Sequence, residues 1–146
     1  MRFGVFETAT GRLSSILDLP EPPHEGVYPG STVVEGGFSQ GVHYLDNDGV
    51  VREAEPPPAG LFYVLAGRDG WVFDNVSAAK SAQLYRDDLL RKTDWVELPS
   101  AAARLSPETF EQALAWRQAL RDITDQVGYP EHINWPAAPE GLPGIQ

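Results

Sequence analysis

An α+β chain, β first and helical after, follows from three features of this sequence. Short β-branched and aromatic runs separated by glycine-containing turns fill its first half. Beyond Asp74 the spacing of apolar residues lengthens from two to about 3.6, the helical period. Two helix-type runs, each with an Arg-Asp pair, leucines and a tryptophan, then precede a Pro-rich tail carrying Asn134-Trp135-Pro136. The expected architecture is an N-terminal β-hairpin or meander region followed by a two-helix hairpin and that tail.

The elements read as follows. Phe3-Gly4-Val5-Phe6 and Leu13 to Leu17 flank Thr8-Ala9-Thr10-Gly11, a hairpin turn in which glycine supplies positive φ. Pro20 to Pro29 is a loop, because prolines cannot donate to a strand ladder. Thr32-Val33-Val34-Glu35 is a strand ending at Gly36-Gly37. Val42 to Leu45 and Val50 to Arg52 bracket Asp46-Asn47-Asp48-Gly49, the strongest hairpin signal in the chain. Glu55-Pro56-Pro57-Pro58 is a stiff, extended spacer, so the predicted organisation is a turn-rich β region over 1–54, a spacer over 55–60 and a second module over 61–146. Within the latter, Leu61 to Leu65 and Trp71 to Phe73 form a further hairpin across Gly67 to Gly70.

Two helices complete the second module. Ala78, Ala82, Tyr85 and Leu89 share one face of the first, with Asp74 or Ser77 as its N-cap. Ser106-Pro107-Glu108 opens the second: a capping serine, proline at the first position and an acid in the first turn. Ala113, Trp116, Leu120 and Ile123 make its buried stripe, flanked by Phe110 and Leu114, and Gly128 before Tyr129-Pro130 reads as its C-terminal stop.

Composition narrows the function. With 42% hydrophobic residues and four tryptophans, the 146-residue chain can bury a core. A net charge of −10 disfavours nucleic acid and anionic membrane surfaces, which would repel it. Absence of cysteine removes disulfide and thiol chemistry. Met1 to Phe6 holds no sustained apolar segment, and the longest apolar run, Leu61 to Ala66, is far below the ~20 residues that span a bilayer. The expectation is a soluble, cytoplasmic protein.

Candidate chemistry gives way to simpler readings. Gly37-Phe38-Ser39-Gln40-Gly41 matches the nucleophile-elbow pattern, but strand-like residues follow it where the elbow requires a helix. Asp46, Asp48, Gly49 and Glu55 fit part of a calcium loop, yet Tyr44 occupies the first ligand position and Pro56 to Pro58 forbid the exiting helix. His24, His43 and His132 are scattered and make no metal-ligand set. The paired carboxylates Asp87-Asp88, and Asp122, adjoin an arginine, which suits helix-surface ion pairs rather than acid catalysis. No catalytic residue, metal or cofactor is therefore assigned, and the expectation is a non-enzyme. Trp71 and Trp116 lie on predicted core faces. Trp95 and Trp135 lie in turns or tail, where an aromatic marks a contact surface. Trp135 equally fits an intramolecular latch folded back on the helices.

Three ordered blocks carry a resemblance. Arg86-Asp87-x-Leu89-Leu90-x-x-Thr93-Asp94-Trp95, then Trp116-Arg117-x-x-Leu120-Arg121-Asp122-Ile123, then Gly128-Tyr129-Pro130-x-x-Ile133-x-Trp135-Pro136 together resemble the C-terminal module of the phage tail assembly chaperone family, over about residues 75–139. The first half is similar to the turn-rich β region of such proteins, through His43-Tyr44, Asp46 to Gly49 and Pro56 to Pro58. Leu114-Ala115 depart from the pattern, where another aromatic is expected before the arginine. The resemblance implies an accessory protein of a tailed bacteriophage or prophage. It would bind a tail or tail-fibre polypeptide during assembly in the bacterial host cytoplasm, without catalysis. The alternatives are an adaptor retained in the tail tip or fibre, and a small hydrolase or sugar-binding module using Ser39 or the Asp46 turn. The expected partner surface is Trp95, Trp116, Arg117, Arg121 and Trp135, with Arg86, Asp87, Asp94 and Asp122 fixing the helix pair. Client identity and oligomeric state are left open.

Overall fold

All seven strands fall in one compact unit, Met1–Asp74, and both α-helices in a second that begins at Asn75, in a computed structural model that describes residues 1–145. The fold is α+β, with the two kinds of structure segregated along the chain.

In the first unit, Arg2–Glu7 (β1) lies between Leu13–Asp18 (β2) and Ser31–Glu35 (β3), antiparallel to both. Its Phe3-Gly4-Val5-Phe6 run is buried throughout, which an alternating polar strand would not tolerate. A register shift between Val5 and Phe6 bends the β1–β2 ladder. Phe6, Leu13 and Leu45 form the core of this unit, and Ile16, Val34, Phe38 and Val51 pack around them. Burying a side chain such as Phe6 contributes about 2 kcal/mol. Gly4 is required beneath the Phe38 ring, because a Cβ there would come within 2.6 Å of it.

The Asp-Gly turn folds as its residues dictate. His43–Leu45 (β4) pairs with Val51–Glu53 (β5). Asp46 Oδ1 accepts from the Asp48 and Val50 amides at 2.9 Å each, and Oδ2 accepts from Arg52 Nε at 2.8 Å. These donors, led by Arg52, hold the Asp46 carboxyl below its ordinary pKa. Tyr63–Leu65 (β6) pairs with Trp71–Phe73 (β7). Arg68 at that turn donates to the carbonyls of Leu45, Ala9 and Thr8 at 3.0, 3.1 and 3.1 Å, which is why the hairpin groups with the strands before it. Gly67, at φ +80°, passes so close that a Cβ would lie 2.3 Å from the Thr10 carbonyl oxygen. Trp71 is half-buried rather than a core residue, and its indole N–H donates to the Glu55 carbonyl at 2.8 Å.

In the second unit, Asn75–Lys92 (α1) and Pro107–Arg121 (α2) are joined through short 3-10 helices at Asp94–Glu97 and Ala101–Ala103. Ser106 caps α2 through its hydroxyl, which accepts from the Thr109 amide at 3.1 Å. The expected stripe is buried: Ala113, Trp116, Leu120 and Ile123 are at most 5% exposed. Two expectations need correction. Helix α2 ends at Arg121 and tightens into a 3-10 turn, Asp122–Asp125, before Gly128. Gly128 instead serves close packing, since a Cβ would meet the His132 carbonyl oxygen at 2.7 Å. On α1, Ala78 and Ala82 are buried, but Tyr85 turns outward.

Candidate functional site

The helical unit is built around a buried arginine. Arg117 stands four residues after Ala113 and three before Leu120, so the helical period carries it into the interior, where it is 2% exposed. A guanidinium removed from water must find partners for its donors. Nη1 donates to the Leu90 carbonyl at 2.7 Å and to Thr93 Oγ1 at 2.6 Å. Nη2 donates to Asp94 Oδ1 at 2.9 Å, and Nε to Glu97 Oε1 at 3.2 Å. Fully buried Thr93 passes its own proton to the Leu89 carbonyl at 2.8 Å. Arg121 also binds Glu97. Its hydrogen bond first, and that of Arg117 second, keep the Glu97 carboxyl below its ordinary pKa. One cation thus ties the end of α1 and the turn after it to the middle of α2.

The tail folds back onto the helices. Trp116 is 5% exposed and donates its indole N–H to the Pro136 carbonyl at 3.0 Å. Gln126 and the Asn134 backbone bond reciprocally at 2.9 and 2.8 Å. Tyr129 Oη donates to the Ala79 carbonyl of α1 at 3.3 Å. Leu142 inserts among Val96, Ala113, Trp116 and Leu120. Trp135 stands edge-on to Tyr85 with ring centroids 4.8 Å apart. It is 37% exposed and Tyr85 54%, with Leu84 of α1 also exposed. Of the two sequence readings of Trp135, the latch describes its contact with Tyr85, while the remaining exposed surface faces solvent.

The nine residues singled out from sequence separate into distinct settings. Trp116 and Arg117 are interior. Trp95 is half-buried against the core cluster. Arg121 and Trp135 are exposed. Asp94 bridges toward α2 through Arg117. Arg86 pairs with its neighbour Asp87 within α1, and Asp122, in the 3-10 turn after α2, accepts from Gln118 four residues earlier. Thr93, quoted in the sequence only within the first resemblance block, and Glu97, unmarked there, complete the network.

Elsewhere the turn readings fit. His43 Nδ1 accepts from the Ser39 amide at 3.1 Å, so the imidazole braces the backbone of the Gly37–Gly41 segment. The Asp46 carboxylate is occupied by two amides and an arginine. Among the described residues, no group of three or more His, Asp or Glu side chains is placed to hold a metal, and no helix is long and apolar enough to cross a membrane.

The helical unit thus combines a pinned helix pair, a tail bonded back onto it and an aromatic pair at the surface. Residues 79–140 match the family model of the phage tail assembly chaperone protein. No curated protein and no solved structure matches the chain. The C-terminal region is thus similar to the phage tail assembly chaperone family, over less than half of the chain. The match runs from α1 into the tail, taking in the Arg117 network and the Tyr85–Trp135 pair, and leaves the β unit outside it.

Proposed function

We propose that the protein is a non-enzymatic chaperone that binds a tail or tail-fibre polypeptide in the bacterial host cytoplasm and keeps it soluble until assembly. The observation that carries this reading is the exposed Tyr85–Trp135 pair inside the matched module. Exposed aromatics on a rigid support supply contact area at low entropic cost. Trp95 and Arg121 extend the proposed client surface. Trp116 and Arg117 support it from inside, with Asp94 fixing the helix pair. Unassembled tail components expose apolar surface and strand edges that aggregate, and a carrier of net charge −10 stays soluble while covering them.

Co-expression with each neighbouring tail or fibre gene tests the proposal. Soluble client that co-purifies with the wild-type chain, and is lost with Trp135→Ala, is the expected outcome. Clients equally insoluble with and without the chain would refute it. Mass spectrometry of purified particles should find the protein absent, whereas stoichiometric presence would favour the retained adaptor.

A further inference from the structure

Strand β3 has a neighbour on one side only, and its hydrogen-bonding phase is fixed. Thr8 N–H bonds the Gly30 carbonyl and Gly36 N–H bonds the Arg2 carbonyl, both at 2.9 Å. Residues 30, 32, 34 and 36 therefore face β1, and Ser31, Val33 and Glu35 direct their backbone groups outward. The Ser31 amide turns back to the Tyr28 carbonyl at 3.1 Å. Among the described residues, nothing takes the N–H or C=O of Val33 or Glu35. The other edge of this sheet differs: β2 begins with an Arg12–Tyr44 bridge, and Gln40 Nε2 caps the Ser14 carbonyl at 3.0 Å. Open edges are ordinarily guarded by proline, lysine or a bulge. Ser31-Thr32-Val33-Val34-Glu35 contains neither residue, and the sheet's register shift lies between β1 and β2.

We infer that β3 is a pairing edge for a second copy of this chain, joining two three-stranded sheets into one. The sequence of the edge is self-complementary about Val33. In an antiparallel, two-fold arrangement Val33 exchanges both hydrogen bonds with Val33 of the other copy, and each Glu35 N–H meets the other copy's Ser31 C=O. Thr32 then opposes Val34, two β-branched side chains that pack well across strands. Glu35, the one charged residue of the strand, opposes Ser31, so no like charges meet. A symmetric interface needs this self-matching, and a two-fold is the commonest solution. Five residues of strand bury less than the ~1,200–2,000 Å² of a stable interface, so the dimer is weak and concentration-dependent. The net charge of −10 opposes association, and added salt relieves that repulsion.

The test is sedimentation velocity across a range of protein concentrations at low and high salt, on the wild-type chain and on Val33→Pro. Because the Val33 amide points away from β1, proline removes the outward donor and leaves the chain's own ladder in place. The wild type should pass from monomer to dimer with rising concentration, further at high salt. Val33→Pro should stay monomeric with an unchanged circular dichroism spectrum. Hydrogen exchange on the wild type decides the matter even if that variant misfolds. The Val33 and Glu35 amides should gain protection with concentration, while Thr32 and Val34, already bonded to β1, should not. A monomer under all conditions, a dimer that a well-folded Val33→Pro leaves intact, or protection of Val33 and Glu35 only on adding a tail polypeptide would overturn the proposal. The concentration dependence and its loss in Val33→Pro do not depend on the chaperone reading.

Discussion

Replacing Arg117 by methionine should destabilise the helical unit by about 3 kcal/mol. Methionine keeps much of the aliphatic stem and removes the guanidinium. Of the four groups it binds, the Asp94 and Glu97 side chains are 68% and 47% exposed, so water replaces the cation there at little cost. The expensive losses are the bonds to the Leu90 carbonyl and Thr93 Oγ1. Charge-assisted bonds of this kind are worth about 1.5–3 kcal/mol each. Two effects reduce the sum: no guanidinium need then be taken out of water, and neither acceptor group is abandoned. Thr93 keeps its bond to the Leu89 carbonyl, and the Leu90 carbonyl keeps the Thr93 amide at 3.1 Å. Urea unfolding followed by tryptophan fluorescence would measure the change. Arg117→Lys should recover only part of it, because an ammonium cannot reach all four partners as a planar fork does. Combined with Thr93→Val in a double-mutant cycle, the coupling should be about 1 kcal/mol or more. An Arg117→Met chain within about 0.5 kcal/mol of wild type would refute the claim that this cation holds the helices together.

Two further predictions concern the same unit. Glu97 has a folded-state pKa below its ordinary 4.5, so its contribution to stability is fully present above that value and is lost as pH falls through the folded one. Asp88, lowered by Lys92 and then Arg91, acts in the same sense. Glu97→Gln should therefore flatten the acid side of the stability profile below its ordinary value of 4.5, and an unchanged profile would contradict the assignment. Trp116→Phe removes the bond to the Pro136 carbonyl and should cost about 1–2 kcal/mol, with faster limited proteolysis within the tail; equal cleavage rates would show that the indole does not hold it.

What could be read from the chain beforehand followed from local chemistry. The Asp46–Gly49 turn, the Ser106-Pro107-Glu108 start and the Ala113–Trp116–Leu120–Ile123 stripe each depend on residues within a few positions of one another. The interior arginine does not, because its partners lie some twenty to twenty-seven positions away, at Leu90, Thr93, Asp94 and Glu97. A signal was nonetheless present. Arg117 falls on the apolar stripe itself, at the spacing of Ala113 and Leu120, where an exposed arginine would interrupt the face. Gly128 misled for a related reason: glycine marks close approach as readily as a helix end, and only the His132 backbone beside it decides between them. Tyr85 left its predicted face because Trp135, fifty positions later, provides an aromatic neighbour at the surface. Tertiary partners of this kind leave no trace in periodicity.

The insertion of Leu142 has a bearing on how the helical unit comes together. The leucine sits among Val96, Ala113, Trp116 and Leu120, all supplied by segments that precede it in the chain. Until it docks, the seam between those side chains stays open to water, so α1 and α2 cannot seal it by themselves. A carrier proposed to cover the sticky surface of another polypeptide must first cover its own, and loss of Leu142 would leave that seam bare.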